Sequence, residues 1–245
     1  MKSSYYKYFA ALLLFGSNGI VASNINLPSY EIVLLRLLLG SLFLITVFTV
    51  SRQRFTFYRN KHTCLYLFIS ASAMGASWML LYEAYQQVGI SIASLAYYCG
   101  PVIVMILSPF LFRETLTWPK IAGFLTVLAG MCLVNLQALD EGKTIWGLFC
   151  GLMSAFMYAL MVTANKKAKP ESGLENSLLQ LVIGSFIVVA FVSMQKNFVL
   201  SLTTIDWIPV LLLGLLNTGI GCYLYFSSIT DLPVQTVAIC GYLEP

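Results

Sequence analysis

Charge is what this chain has least of, and acid is scarcer than base. Its 245 residues hold ten Asp and Glu, fourteen Lys and Arg and one histidine, so charged residues make up 10%. Soluble domains average about 25% charged residues, and the deficit excludes an ordinary soluble domain. Too few acids and histidines remain for a convergent catalytic or metal-binding set, and no metalloprotease or nucleophile motif is found. Gly142-Lys143-Thr144 has the ending of a phosphate-binding loop, but Gln137 stands where the earlier glycine belongs. An enzyme and a cofactor are therefore not expected. The six cysteines (Cys64, Cys99, Cys132, Cys150, Cys222 and Cys240) form no Cys-x-x-Cys pair and read as small apolar packing residues. The net charge of +4 is dispersed over short loops, which excludes a nucleic-acid footprint.

What the chain has in abundance is apolar surface: 59% of its residues are hydrophobic. A membrane-spanning helix needs roughly 20 mostly apolar residues. Nine such segments can be placed, at about Tyr6–Ala22, Tyr30–Val50, Cys64–Tyr85, Ser91–Phe112, Pro119–Leu136, Ile145–Ala164, Asn176–Met194, Asp206–Ser228 and one from Val234. The fold class is all-α integral membrane protein. The first segment has the look of a signal peptide ending at Val21-Ala22-Ser23, but its counterpart Trp146–Thr163 lies mid-chain, so it is read as a helix.

That counterpart exists because the sequence repeats. Glu31, Leu34, Leu35, Leu37, Gly40 and Ser41 recur 144 residues later as Glu175, Leu178, Leu179, Leu181, Gly184 and Ser185. The same ungapped shift lays Gly75 on Gly219, Leu80 on Leu224, Tyr98 on Tyr242 and Pro101 on Pro245. Self-similarity at one period marks an internal duplication. Residues 1–138 form a first five-helix repeat and 144–245 a second, which stops within its fourth helix. On this arithmetic a complete protein has ten helices and this chain is truncated. Five is odd, so the second repeat enters the membrane inverted, an arrangement typical of secondary transporters.

Basic residues set the orientation. With the N-terminus cytoplasmic, inner loops hold Lys2, Lys7, Arg52, Arg54, Arg59, Lys61, Arg113, Lys120, Lys166, Lys167 and Lys169. Outer loops hold only Lys143 and Lys196. A multi-pass protein of the cell (inner or plasma) membrane with a cytoplasmic N-terminus is expected.

The remaining charges carry the functional reading. Arg36 lies about 9 Å into the second segment at 1.5 Å per residue, where an intramembrane charge needs a reason. Glu83, at similar depth in the third, is its expected partner in an outer gate. The second copy has uncharged Gln180 in place of Arg36. Glu244, about ten residues into the ninth segment, sits beside a helix break at Pro245, as Gly100 sits beside Pro101. It is the leading candidate for binding a proton or a cationic group. Trp78, Tyr82 and Tyr85 share one helical face, while Tyr97, Tyr98, Tyr223, Tyr225 and Tyr242 occupy related places in the two copies. They read as the walls of a cavity for small amphipathic ligands. Asn18, Ser17, Asn217 and Thr218 add polar groups within spans. Glu31 and Glu175 read as first-turn carboxylates suited to the helix dipole, Glu175 with a Ser172 capping box. Tyr5, Tyr6 and Tyr8 read as an interfacial belt, and Gly147-x-x-x-Gly151 and Ala71-x-x-x-Gly75 as packing ridges.

With these residues in view the chain resembles the EamA-type branch of the drug/metabolite transporter (DMT) superfamily. The likeness rests on Tyr30-Glu31-Ile32-Val33-Leu34-Leu35-Arg36, Gly100-Pro101, Phe112-Arg113-Glu114 and Leu243-Glu244-Pro245. It implies a cavity between the halves and, typically, efflux of amino acids or other metabolites. The expected function is a secondary transporter of small metabolites such as amino acids or amines, driven by a gradient or by exchange. Alternatives are a non-transporting scaffold or receptor, and a nucleotide-sugar or organic-phosphate type carrier of the same superfamily. The expected partners are a small-molecule substrate, the lipid bilayer and, as an option, a second copy in a homodimer.

Two outcomes follow from the sequence. Cysteines placed at Lys166–Lys169 should resist a membrane-impermeant thiol reagent in intact cells, and their labelling from outside would reverse the assigned topology. Glu244→Gln should abolish transport at unchanged membrane abundance, and normal flux in that variant would assign the carboxyl a structural role.

Overall fold

The computed structural model describes residues 2–22, 24–25, 27–115, 117–119, 121–123, 125–126, 129, 145–194 and 207–243. The expected charge at Glu244, the break at Pro245 and the loop lysines Lys143 and Lys196 lie outside them. The first copy contains α1 (Lys2–Gly16), α2 (Asn18–Ala22), α3 (Ser29–Val50), α4 (Lys61–Tyr97) and α5 (Cys99–Phe112). The second contains α6 (Ile145–Ala168), α7 (Gly173–Ser193), α8 (Trp207–Leu211), a π-helical stretch Leu212–Ile220, α9 (Gly221–Ser228) and α10 (Val234–Gly241). Among the described residues five helical stretches are long and apolar enough to cross a membrane: Tyr30–Val50, Lys61–Phe112, Ile145–Ala168, Gly173–Ser193 and Trp207–Ser228. The described residues between Trp118 and Ala129 are helical as well, within the expected fifth segment.

The longest of these stretches is two expected segments joined. Gly89 interrupts α4 with φ 78° and ψ 163°, a conformation that favours glycine, and turns the chain between the third and fourth segments. The first expected segment, in contrast, breaks in two at Ser17. In a continuous helix the Leu14 carbonyl would accept from the N–H of Asn18. Here it accepts instead from the Ser17 amide at 3.2 Å, the Ser17 hydroxyl at 2.7 Å and the Asn217 amide at 3.0 Å. Three competing donors end α1. Asn217 sits in the π-helical stretch, where Thr218 Oγ1 donates 2.8 Å to the carbonyl five residues back.

The two copies interlock through their second helices. Ser41 Oγ and Ser185 Oγ, equivalent under the 144-residue shift, lie 3.0 Å apart on the pseudo-twofold axis of an inverted repeat. To one side of that axis α3 packs against the π-helical stretch, with Gly40 facing Gly214 and Thr218. To the other, α7 packs against α4, with Gly184 facing Ala71 and Met74. Gly75 against Ile187 and Gly219 against Phe43 repeat the correspondence. α6 lies on α4 as α1 lies on α9, and Gly151 meets Ala96 in the first of these contacts. Each repeat thus completes its packing only on the other. Outward faces carry exposed Leu42, Phe68, Phe110, Phe149 and Phe186, the lipid-facing side of such a bundle.

The basic loops gather at one end. Glu175, read from sequence as a dipole partner, instead reaches the first copy's loop. It accepts from Thr56 N and Thr56 Oγ1 at 2.6 Å each and from Phe57 N at 3.0 Å. Ser172 caps α7 as expected by accepting from Glu175 N. At the same end Lys166 Nζ donates to the carbonyls of Ile229, Thr230 and Leu232, and Glu114 accepts from Val234 N and Gln235 N. Backbone groups at helix ends need such partners where water is scarce.

The glycine contacts yield a stability test. A Cβ on Gly75 would lie 3.0 Å from the Gly184 carbonyl oxygen and 3.1 Å from Ile187 Cβ, so a helix backbone must move. The three atoms nearest a Cβ on Gly219 all belong to the Phe43 ring, the closest at 2.7 Å, and a side-chain ring can turn aside where a helix backbone cannot. Gly75→Ala should therefore lower the melting temperature of the detergent-solubilised protein more than Gly219→Ala, with a cost of about 1–3 kcal/mol as for overpacked cores. Equal effects would mean that the two half-interfaces are equally compliant.

Candidate functional site

A cavity of about 700 Å³ lies between the copies, within the range of small-molecule sites. Its mouth, away from the basic loops, includes Ala22, Ile25 and Leu27 between α2 and α3, and the exposed Gln86 and Ile90 beside the Gly89 turn. Its floor is formed by Met74, Met161 and Phe226. Below the floor the bundle is closed by hydrogen bonds. Asn165 and Asn176 exchange bonds of 2.9 and 3.1 Å, and Asn176 also donates to the Phe226 carbonyl at 3.0 Å. Ser70 Oγ donates to the Met161 carbonyl at 2.9 Å.

The walls are aromatic, as the sequence suggests. Trp78, Tyr82, Tyr97 and Tyr98 line the cavity together with Asn18 and Arg36. Trp78, Tyr82 and Tyr85 share the cavity face of α4, and the Tyr82 and Tyr85 rings meet edge to face at 5.3 Å. Tyr97 and Tyr98 stand where α4 gives way to α5, just ahead of the buried Gly100-Pro101. Gly100 has no side chain to collide with Tyr158, whose ring would lie 2.7 Å from a Cβ there. Tyr158 in turn packs edge to face on Tyr97 at 5.5 Å.

Other expected site residues stand outside the lining. Asn217 does not face the cavity. Its amide donates to Asn18 Oδ1 at 2.9 Å and to Ser17 Oγ at 2.9 Å, holding Asn18 at the wall. Tyr242 lies behind Tyr98, to whose carbonyl its hydroxyl donates at 2.8 Å, again a pair related by the 144-residue shift. The Tyr223 ring lies 5.9 Å from Lys7 Nζ and is not part of the lining.

Arg36 departs most from expectation. Glu83 is not its partner: the Glu83 carboxylate accepts from Gln87 Nε2 at 3.1 Å, and no ion pair joins it to Arg36 among the described residues. The guanidinium instead lies over the Trp78 ring, its carbon 3.9 Å from the centroid. Cation–π contacts favour tryptophan among the aromatic residues. The side chain is 8% exposed, yet its Nε has no hydrogen-bond partner.

Sequence reasoning placed Tyr225 at the cavity, passed over one lining tyrosine, Tyr158, and misread Tyr8. Tyr158 and Tyr225 line the cavity with their hydroxyls 3.5 Å apart. Tyr8, read as part of an interfacial belt, is fully buried behind them. Its hydroxyl donates to the Val237 carbonyl at 2.7 Å, and its ring lies 5.6 Å from that of Tyr225. Helical phase was the available signal: Tyr8, Ala11 and Leu12 fall on one buried face of α1. Tyr6, two residues away, is 76% exposed and keeps the belt reading.

Known proteins give the arrangement a lineage. The chain is 26% identical over 246 residues to the uncharacterized transporter YxxF of Bacillus subtilis, covering 98% of this chain and 77% of that protein. It is 22% identical over 188 residues to a biotin transporter of Salmonella typhimurium, covering 75% of this chain and 62% of that protein. A transporter of Acidianus ambivalens is 26% identical over 148 residues, 60% of this chain and 57% of the relative. The chain thus spans less than two thirds of the length of the last two. A solved crystal structure, 17% identical, superposes on 99% of this chain and 84% of its own with a TM-score of 0.81, which shows a shared fold. The model of the EamA-like transporter family matches twice in succession, over residues 3–136 and 145–245, and the chain belongs to that family.

Proposed function

We propose that this membrane transporter is a secondary carrier of small metabolites, with the aromatic cavity between the copies as its substrate site and alternating access as its mechanism. The single observation that carries the reading is the cavity: about 700 Å³, walled by aromatic side chains, reaching the exposed Gln86 and Ile90 and lined by no residue of the basic loops. An inverted repeat can exchange its open and sealed ends by interconverting the conformations of its halves. Two side-chain arrangements support that exchange. The sealing contacts at the basic end include hydrogen bonds that Glu175 and Glu114 accept from backbone N–H groups and that Lys166 donates to backbone carbonyls. The Gly89 turn and the break at Tyr98 divide α4 and α5 into pieces able to move separately. With the basic loops in the cytoplasm, the cavity faces outward.

The substrates proposed are amphipathic molecules of amino-acid to cofactor size, since flat aromatic walls receive rings and the polar groups are few. Biotin, which names the Salmonella relative, falls within this range of size and shape. Export as the direction rests on the family resemblance alone. The sequence offers no nucleotide-binding motif, so the driving force is taken to be an ion gradient or exchange. A homodimer is not needed for this mechanism, because each chain contains both halves of its cavity.

The test is flux. The protein reconstituted into liposomes should move at least one member of a radiolabelled panel of amino acids, amines and biotin, against protein-free liposomes. Trp78→Ala should reduce that flux at least tenfold at equal folded protein. Flux no higher than in protein-free liposomes across the panel would favour the scaffold reading.

A further inference from the structure

We infer that Arg36 is the anchor for an anionic group, and that the ligands of this cavity are carboxylates carrying a flat apolar ring. The inference rests on the cavity being a substrate site, and it replaces amines with acids as the favoured class.

The first ground is charge. Among the described residues lining the cavity, Arg36 alone is charged, so its walls offer a cation and no carboxylate. An amine entering it would meet like charge; an anion would meet its only counter-charge. The second ground is the guanidinium's own bonding. Arg36 is more than nine-tenths buried, and its buried Nε has no hydrogen-bond partner. A buried guanidinium normally satisfies its five N–H donors, and an intramembrane arginine is normally paired. Both candidate partners point elsewhere. Glu31 lies five residues before Arg36 on α3, and Glu83 five residues after Trp78 on α4. Five residues turn a helix by roughly 140° from the starting face, so each carboxylate leaves the face that carries the stacked pair. The Glu31 carboxylate has a buried oxygen without a partner, and Glu83 is bonded to Gln87.

The third ground is the geometry of the stack. The guanidinium carbon lies over the Trp78 ring, 3.9 Å from its centroid. That contact uses none of the N–H groups as hydrogen-bond donors, and these are the donors that grip a carboxylate with two parallel bonds. The ring beneath also holds the guanidinium in place, so little side-chain freedom is lost when the anion arrives. With the carboxylate at Arg36, the rest of the ligand lies among Tyr82, Tyr97, Tyr98 and Tyr158, where a flat ring finds aromatic faces.

The second copy sharpens the assignment. Gln180, the equivalent of Arg36, is fully buried away from the cavity, with its Oε1 accepting from Ser70 Oγ at 3.2 Å and its Nε2 without a partner. A role confined to packing at this point of the repeat is thus filled by a neutral amide.

Three radiolabelled probes that share one skeleton test the anchor: 3-phenylpropionate, 3-phenylpropanol and 3-phenylpropylamine, bound at neutral pH to the purified protein. The wild-type chain should bind the acid at least tenfold tighter than the alcohol, and the amine no tighter than the alcohol. This comparison needs no variant. Arg36→Gln should reduce the acid to the affinity of the alcohol while leaving the alcohol unchanged, and Arg36→Lys should restore part of the preference. Equal binding of acid and alcohol, an acid preference that survives in Arg36→Gln, or no binding of any probe would each overturn the anchor. Acid-selective binding without flux in liposomes would uphold the anchor and overturn the transport reading, so the two fail separately.

Discussion

The close approach of helix backbones along one axis is the constraint on which the rest of this molecule depends. In lipid no hydrophobic force drives apolar helices together, because the solvent is as apolar as their side chains. Packing must then come from contact, and contact requires small residues. Gly40, Gly75, Gly184, Gly214 and Gly219 provide it in two equivalent sets around the Ser41–Ser185 pair. These contacts run between copies rather than within them. α3 of the first copy rests on the second copy's π-helical stretch, and α7 rests on α4. The second helix of each copy thus packs closely on the other copy, while α7 also bonds to α9 of its own copy through Asn176 and Ser177.

Crossing the halves along one axis leaves space beside it. The space between the copies is the cavity. Its position explains the uneven use of polar groups. Away from the cavity, many buried polar side chains are engaged with one another or with carbonyls, as in Asn165–Asn176 and Ser77–Ser154. An unsatisfied group there would cost the full desolvation penalty. Polar groups at the cavity wall face a space able to hold water or ligand. Arg36, whose Nε has no bonded partner, lines that space.

The architecture was readable from the sequence because duplication leaves a trace independent of propensity. An ungapped shift of 144 residues related pairs that the structure then brings into contact, Ser41 with Ser185 and Tyr98 with Tyr242. The aromatic walls were readable from helical phase on α4. Three other features were not. The break of α1 at Ser17 depends on an amide some 200 residues away in the chain. Likewise, the partners of Glu175 are backbone groups of a loop 118 or 119 residues earlier. Nothing local to Glu175 distinguishes a dipole partner from a tether. The Arg36–Glu83 pairing failed for a different reason: depth along two helices was considered, but not the angle around them.

The remaining step concerns symmetry. A carrier built from two inverted halves must adopt, in its other state, a cavity whose walls descend from the opposite set of equivalent residues. Where the copies are alike, the two cavities are alike, and the exchange favours neither side. Where they differ, the two cavities differ in affinity. Arg36 and Gln180 are the buried pair at which one copy is charged and the other neutral. A ligand held by Arg36 in the cavity described here would meet an amide in the equivalent place of the opposite cavity. On the proposed reading, tighter binding on one side than on the other would follow from this one substitution between duplicated helices. The sameness of the halves would permit the motion, and the exception within it would set the preference for one kind of ligand.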